Sequence, residues 1–391
     1  MVATKTEHKE EEPIHGDVLE AIFSFVPLID LVPSCHVSKS WNKTVFSSLT
    51  HVRQIKPWLI VFTQTTRASR VTTAHAYDPR SHAWLQITKH QPLINKTHEI
   101  PAVRSSHSTL LYTLSPSEFT FSIDALHLEW HKAPSPRVWR TDPIVARVGN
   151  CVVVAGGACE FEDDPLAVEL YNMESRDWAT CQLMPTMLTL SASTWLSVAV
   201  VGEAMLVTER ISGVTYMFNT ITMKWEGPYN LRPNESVFYT VTGTLSEKLT
   251  VAGLVGEPGN VREVKLWAVK EEIGSGMEEI GSMPKEMVEK LKGDSEFGSI
   301  EAIWVGNFVY LRNTLVLDEF VVCEVVNGSF CEWRSVKNAA VDGGTRMVFC
   351  GGDVKMEDLQ RAVMLEKHTF CMKQIWNVAG SLSILIFVPF S

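Results

Sequence analysis

The pattern of apolar and polar positions divides the chain into two parts. Residues 1–12 are charged and polar, and they predict a flexible tail. From residue 13 to about residue 50, apolar residues recur at helical spacing and predict three short helices. In the first helix the apolar positions are Val18, Leu19, Ile22, Phe23 and Val26. Three short helices cannot bury this much apolar surface among themselves, so we expect the unit to bind a partner.

Prolines mark the predicted boundaries of these helices. Pro27 is expected to end the first helix. Asp30 is predicted to cap the second helix, with Pro33 in its first turn, where a missing N–H costs little. The third helix is predicted around residues 37–46.

After residue 57 the pattern changes to short β-type runs that are punctuated by Gly, Pro, Asn and Ser. Many short strands of this kind, with turn signals between them, are typical of an all-β sandwich, barrel or propeller. Residues 285–292 are the one helical-looking insert in this part. The clearest runs cover residues 58–62, 108–113, 150–157, 203–208, 248–256, 307–313 and 346–352.

The spacing of the tryptophans favours a propeller over the other two architectures. Trp84, Trp130, Trp178 and Trp225 each follow a short apolar strand and a turn, and they are 46, 48 and 47 residues apart. Trp333 follows after 108 residues, which leaves room for a degenerate unit near residues 277–280. A period of 40–50 residues indicates propeller blades. With a last match that ends at residue 376, the spacing predicts seven blades, or six if one of the two weak units is dropped.

One repeat shows the complete motif of a known family. An apolar strand ends in Gly156-Gly157, Tyr171 lies on the next strand, and a turn then leads to Trp178. This arrangement resembles the kelch repeat, in which the glycines allow strands to crowd together and the tryptophan packs between blades. The other blades keep parts of the motif. Trp84, Trp130, Trp225 and Trp333 are the corresponding structural tryptophans.

The first strand of this β part, at residues 58–62, matches the second strand of a kelch blade, so the first blade lacks its inner strand. We expect the apolar run at residues 381–390 to supply that strand and close the ring, which would remove an exposed sheet edge. That run is too short for a membrane helix. The propeller is therefore assigned to residues 57–391 and the helical unit to residues 13–50.

The helical unit also matches a known motif without a gap. It reads IHGDVL at residues 14–19, followed by Ile22-Phe23, Val26-Pro27, Asp30-Leu31 and VSKSW at residues 37–41. This order and spacing resemble the F-box. The departures are Ile14-His15 in place of Leu-Pro, Ser38 in place of Cys, and Pro33 inside the second helix.

The resemblance implies that the helices dock onto a Skp-type adaptor, which hands the protein to a cullin–RING ubiquitin ligase. By motif position, the contacts to the adaptor are Leu19, Ile22, Phe23, Pro27, Leu31, Val37 and Trp41. Several of these residues could instead hold the three helices together, and Ile22 and Trp41 fit either role equally well.

An F-box followed by a kelch-type propeller is similar to the plant F-box/kelch family, whose members are substrate receptors of SCF ubiquitin ligases. The resemblance implies that the propeller binds a protein substrate and that this chain needs no catalytic residue. Two alternatives remain: an interaction scaffold outside any ligase, and a kelch-type copper oxidase. The oxidase is disfavoured because eleven of the twelve histidines lie before residue 132 and cannot surround a common axis.

Loops that join the second strand of a blade to the third open on the same face as the loops between blades, and binding residues concentrate on such loops. The candidates on this face are Arg67, Arg70, Glu160, Asp163 and Asp164. Charged groups of this kind are more often ordinary solvated turns than recognition patches, and this holds for both the acidic group and the basic pair.

Composition limits the possible partners. The chain of 391 residues has 45% apolar and 20% charged residues, as expected of a packed globular protein, and its net charge is −10. The negative charge argues against nucleic acid and anionic membranes as partners. No C-x-x-C pair occurs among the eight cysteines, so no metal or other cofactor is predicted. We expect free thiols and, since the first residues do not form a signal peptide, a cytosolic or nuclear protein.

Overall fold

The computed structural model describes most of the chain, and the predicted tail at residues 1–12 lies outside the described residues. The described ranges are 16–52, 55–65, 71–89, 102–157, 164–189, 193–294, 297–326, 328, 330–340, 345–364 and 370–375.

Three helices form an N-terminal helical unit, which we define as residues 16–52. They are α1 (Asp17–Phe25), α2 (Leu28–Ser34) and α3 (Lys39–Ser47), followed by a π-helical turn at Ser48–Val52. The predicted start of α2 was wrong by three residues, because its N-cap is Pro27 and not Asp30. The carbonyl of Pro27 already accepts the N–H groups of Asp30 and Leu31, at 3.0 and 3.2 Å, so Pro33 lies in the last turn of α2 rather than the first.

The rest of the described chain forms six antiparallel sheets, each of which is one blade of a propeller. From the inner to the outer strand, blade 1 contains β24 (Thr345–Gly352), β1 (Trp58–Thr65), β2 (Val71–Asp78), β3 (Ala83–Lys89) and β25 (Phe370–Ile375). Blade 2 contains β4 (Arg104–His107), β5 (Leu110–Leu114), β6 (Glu118–Ser122) and β7 (His131–Pro134). Blade 3 contains β8 (Ile144–Val148), β9 (Cys151–Ala155), β10 (Val168–Asn172) and β11 (Asp177–Thr180).

The remaining three blades follow in chain order. Blade 4 contains β12 (Leu196–Val201), β13 (Ala204–Glu209), β14 (Val214–Asn219) and β15 (Lys224–Asn230). Blade 5 contains β16 (Val237–Leu245), β17 (Lys248–Glu257), β18 (Asn260–Val269) and β19 (Met277–Ser282). Blade 6 contains β20 (Ile300–Val305), β21 (Phe308–Asn313), β22 (Glu319–Val326) and β23 (Phe330–Lys337).

The propeller therefore has six blades, and the preference for seven was wrong. The last sequence match was counted as a further blade, but β24 and β25 join the two edges of blade 1. β24 pairs with β1 over its full length, from Trp58 opposite Gly352 to Thr65 opposite Thr345. The inner position of blade 1 is thus held by β24, and the expectation that residues 381–390 fill it was also wrong; those residues lie outside the described ranges.

The ring is closed by contacts between the inner strands. Each inner strand touches those of the two neighbouring blades, and β24 touches both β4 and β20. Because side chains alternate along a strand, each blade packs on both of its faces. On β1, Ile60 and Phe62 belong to the core shared with blade 2 and the helical unit, whereas Leu59 and Val61 pack with blade 6.

Tryptophans fasten neighbouring blades to one another. The indole Nε1 donates to a backbone carbonyl at or just beyond the outer strand of the preceding blade: Trp84 to Lys337 at 2.8 Å, Trp178 to Pro134 at 2.9 Å, and Trp225 to Gln182 at 3.2 Å. Trp333 lies on β23, and Trp130 directly precedes β7. The degenerate unit predicted near residues 277–280 is β19, so the spacing located blade 5 without a tryptophan.

Three further α-helices and one 3-10 turn (Ser193–Trp195) lie outside the helical unit in the described ranges. The α-helices are α4 (Thr186–Thr189), α5 (Lys285–Lys292) and α6 (Met356–Met364). α5 confirms the predicted insert, but the expectation that it is the one helical insert was wrong, since α4 and α6 were not predicted. None of the helices in those ranges combines the length and the apolar character that crossing a bilayer requires.

The helical unit packs directly onto blades 1 and 2. Leu31 and Val45 share one core with Trp58 at the start of β1 and with Met356 and Leu359 of α6. α2 contacts α6. The helices therefore lie on the face of the propeller where the inner strands end.

Candidate docking site on the helical unit

The outer side of α1 carries a row of exposed apolar side chains. Val18, Ile22 and Phe25 retain 62%, 42% and 73% of their accessible surface. Their spacing of four and then three residues places them on one side of the helix. Val37, in the turn between α2 and α3, is 51% exposed. We call these four residues the outer face.

The opposite side of α1 is buried within the chain itself. Leu19 and Phe23 lie in the core, and Phe23 meets Trp41 of α3 edge-to-face with ring centroids 5.3 Å apart. Leu31 of α2 is fully buried in the same core. These contacts fix the rotation of α1 and so hold Ile22 and its neighbours outward.

Caps at the helix ends hold this geometry in place. The Ser38 hydroxyl accepts the N–H of Trp41 at 3.1 Å, so the serine that departs from the motif is the N-cap of α3. At the other end of the unit, the guanidinium of Arg80 from blade 1 donates to the carbonyls of Phe23 and Ser24, at 2.9 and 3.0 Å. A cation at a helix C-terminus is favourable because it satisfies unpaired carbonyls and opposes the helix dipole.

Two titratable groups on α2 respond to the packing. Burial raises the pKa of the Asp30 carboxyl above its ordinary value. Burial also raises the pKa of the Cys35 thiol, and a hydrogen bond with Gln360 of α6 opposes that shift. Cys35 is buried, in agreement with its shift, whereas the Asp30 residue keeps much of its surface in solvent, so its carboxyl is only partly desolvated.

The seven residues that were predicted to contact an adaptor differ in how exposed they are in the structure. Ile22 and Val37 are exposed, whereas Pro27 and Trp41 are half-buried. Leu19, Phe23 and Leu31 are buried in the core of this chain.

Sequence reasoning missed two residues of the outer face, Val18 and Phe25, as candidate contacts. The signal was present, because both lie in helical register with Ile22. The motif positions drew attention to Phe23 instead of Phe25, and only the packing shows which of the two faces outward.

The kelch-type residues have structural roles. Tyr171 and Trp178 are paired across β10 and β11, with ring centroids 5.2 Å apart. Gly156 and Gly157 have φ of +62° and +106°, and a Cβ on Gly157 would come within 2.7 Å of the carbonyl oxygen of Thr141. Only glycine fits this close approach without strain.

Four of the five predicted substrate-face residues are not among the described residues. Arg67, Arg70, Glu160 and Asp163 lie outside the described residues. Asp164 is described, and its carboxylate accepts the N–H of Leu166 at 3.1 Å, which stabilises the turn before β10. Among the described ranges, no three His, Cys, Asp or Glu side chains are grouped so that they could hold a metal ion.

Comparisons with known proteins agree with this architecture. The family model described as F-box domain matches residues 16–52, which are the helical unit. An F-box/kelch-repeat protein of Arabidopsis thaliana is 43% identical over 372 residues, covering 90% of this chain and 93% of the relative. A kelch repeat and BTB domain-containing protein of Danio rerio is 24% identical over 117 residues, covering 29% of this chain and 18% of that protein. With its F-box helices packed on a propeller, and with a plant relative that matches along almost its whole length, the chain belongs to the plant-type F-box/kelch-repeat family.

Proposed function

We propose that this protein is the substrate-recognition subunit of an SCF-type E3 ubiquitin ligase. In this role the helical unit docks onto a Skp-type adaptor, which links it to the cullin–RING ligase, and the propeller binds a protein substrate. The protein then contributes no catalytic group of its own, and it acts in the cytosol or nucleus.

One observation carries the proposal: the outer face. Val18, Ile22 and Phe25 expose a row of apolar surface on a helix whose other side is firmly packed. An exposed apolar row on a rigid element is typical of a helix that binds a partner. The match of residues 16–52 to the F-box domain supports a Skp-type adaptor as that partner.

The test is capture of a purified Skp-type adaptor by the full-length protein. A double variant, Ile22→Asp with Phe25→Ser, should fold normally, since both side chains are exposed, and should lose most of the captured adaptor. The matched control is Ile221→Asp, because Ile221 is 74% exposed in a turn of blade 4, away from the helices. Leu31→Asp is unsuitable, since it would place a charge in the core and unfold the unit.

Two results would count against the proposal. One is a wild-type protein that captures no adaptor. The other is a double variant that captures as much adaptor as the Ile221→Asp control. Either result would favour an interaction scaffold outside the ligase.

A further inference from the structure

The end of β25 lies beside the C-terminal end of α1. Ile375, the last residue of β25, pairs with Trp84 at the start of β3. The turn just before β3 carries Arg80, whose guanidinium donates to two carbonyls in the last turn of α1, at 2.9 and 3.0 Å. β25 therefore leads the chain towards the end of α1 where Phe25 is exposed.

The chain that follows β25 is long enough to run along α1. Residues 376–391 follow Ile375 and lie outside the described ranges. An extended chain rises about 3.3 Å per residue, so residues 376–380 span up to about 17 Å and residues 381–390 about 33 Å more. The nine residues of α1 are only about 14 Å long, because a helix rises about 1.5 Å per residue. We call residues 381–390 the apolar run.

The apolar run has no place in the sheets of the described residues. It carries no charge, and residues 384–390 read ILIFVPF without a polar side chain. The inner position of blade 1, which it was expected to fill, is held by β24. Because apolar residues stand at successive positions, a further edge strand beside β25 would leave one apolar face of the run in solvent. Burial of both faces requires another apolar surface.

The outer face of α1 is an apolar surface within reach. Val18, Ile22 and Phe25 form an exposed row along the helix, and Phe25 is at the end that β25 approaches. The only charged residues in α1 are Asp17 and Glu20, both acidic. An uncharged segment can lie along this row without repulsion from them.

Two other possible occupants of the row are less well matched to it. Residues 1–12 are polar and charged, and three consecutive glutamates at positions 10–12 would be repelled by the acidic residues of α1. A second copy of the chain has the same net charge of −10, so two copies repel each other. The apolar run, in contrast, is tethered nearby, and a short flexible tether gives an effective concentration of about millimolar.

We propose that the apolar run folds back onto the outer face and covers Val18, Ile22 and Phe25 until a Skp-type adaptor displaces it. The contact is autoinhibitory, because the same apolar row holds either the run or the adaptor. The identity of the competitor rests on the proposed function, whereas the contact between the run and α1 does not.

The first test locates the run on the full chain without any adaptor. A photoreactive benzoylphenylalanine takes the place of Phe25, the protein is illuminated, and the monomer is isolated by size-exclusion chromatography and analysed by mass spectrometry. We expect a cross-link from position 25 to residues 381–390 within one molecule. The matched control carries the same photoreactive residue in place of Ile221, which is equally exposed in a turn of blade 4 and should give no such cross-link.

The second test measures the affinity for a purified Skp-type adaptor. Only molecules with an uncovered row bind the adaptor, so coverage in about four of every five molecules lowers the affinity about fivefold. A chain that ends after Gly380 should therefore bind the adaptor about fivefold more tightly than the full chain. Ile386→Asp with Phe387→Asp, in the full chain, should have the same effect without shortening it. The matched control, Ser381→Asp with Ser391→Asp, adds the same charge at the polar ends of the segment and should leave the affinity unchanged.

A cross-link from position 25 to residues 1–12, or one that forms only between two molecules, would overturn the proposal and assign the row to that occupant. Equal adaptor affinity of the full chain and the chain that ends after Gly380 would also overturn it. Adaptor binding by neither chain would reject the proposed function and the competition with it. The cross-link then still decides, on its own, whether the apolar run covers the outer face.

Discussion

Blades 1 and 3 contain the same aromatic pair in nearly the same geometry. The rings of Tyr77 and Trp84 are 5.2 Å apart at 48°, and those of Tyr171 and Trp178 are 5.2 Å apart at 51°. In each blade the indole also donates to a backbone carbonyl of the preceding blade. The local motif therefore builds the same unit at two places in the ring.

The turns that precede these tryptophans are equivalent as well, but they carry different side chains. The Asp78 carboxylate accepts the N–H of Arg80 at 2.9 Å, and the Asn172 side chain accepts the N–H of Glu174 at 2.9 Å. Arg80 is buried against α1, whereas Glu174 is exposed. On a common turn, the arginine of blade 1 thus adds polar contacts to the helical unit, and the glutamate of blade 3 stays in solvent.

The two blades differ most in how they are completed. Blade 3 is continuous in sequence, from Ile144 to Thr180. Blade 1 combines strands from both ends of the propeller, and its inner strand β24 comes from the far end of the chain. Blade 1 therefore depends on a long-range pairing that blade 3 does not need.

The largest effect should follow from breaking that pairing. Ending the chain after Ala340 removes β24, exposes the edge of β1 and opens the core around Ile60 and Phe62. We expect loss of cooperative thermal unfolding, measured by circular dichroism, together with aggregation on size-exclusion chromatography. Ending the chain after Met364 keeps β24 and should preserve a cooperative transition. A chain shortened to residue 340 that melts like the full-length protein would show that blade 1 does not need β24.

The next largest effect should be a difference in the unfolding free energy that is lost when Trp84 or Trp178 is replaced by alanine. Trp84 is 1% exposed, so Trp84→Ala should cost about 3–5 kcal/mol of unfolding free energy, the range for deleting a buried aromatic side chain. Trp178 is half-buried, and Trp178→Ala should cost about 1–3 kcal/mol. Urea denaturation measures both. Equal costs would mean that the composite blade is no more tightly packed than the continuous one.

A smaller difference in unfolding free energy is expected between substitutions in the turns that precede these two tryptophans. Arg80→Met should destabilise the protein by about 1–3 kcal/mol, because two carbonyls at the end of α1 lose a charged donor. Glu174→Met, at the equivalent exposed position of blade 3, should change stability by less than about 0.5 kcal/mol. The measurement is again urea denaturation. If the two variants proved equally stable, Arg80 would not anchor the helical unit.

The same contrast explains what could be predicted of the fold. Most of blade 3 was predicted because its motif, its turn and its pairing are all local, although its inner strand β8 was not among the predicted runs. Blade 5 was located by spacing alone, with Glu279 of β19 standing where other blades have tryptophan. The missing inner strand of blade 1 was predicted, but the wrong late segment was assigned to it, because nothing in the local pattern shows which late strand pairs with β1; the run at residues 346–352 was assigned to the last blade instead.

The docking site was predictable to a similar extent. Helical spacing located α1 and its apolar positions, including Ile22. The outward direction could not be read from the motif, because it depends on what covers the other side. Leu31 and Phe23 are buried by packing among the helices, on α6 and on blade 1, which lie far away in sequence. The same packing fixes the rotation of α1 and so leaves Phe25 on its exposed side.

The smallest predicted effect concerns the loop before β7 in blade 2, where a histidine contacts a carboxylate and α6; the short turn of blade 3 has no histidine. His127, before β7, bonds to the Asp124 carboxylate at 2.9 Å, and this bond, together with smaller contributions from Asp358 of α6, raises its pKa above 6.5. A raised histidine pKa stabilises the fold below about pH 6.5, and this contribution is lost as pH rises through the raised value. His127→Gln should therefore cost less than about 1 kcal/mol at pH 6 and still less at pH 8, measured by urea denaturation at both pH values. A cost that grows with pH would show that the charged form of His127 is not the one that ties blade 2 to α6.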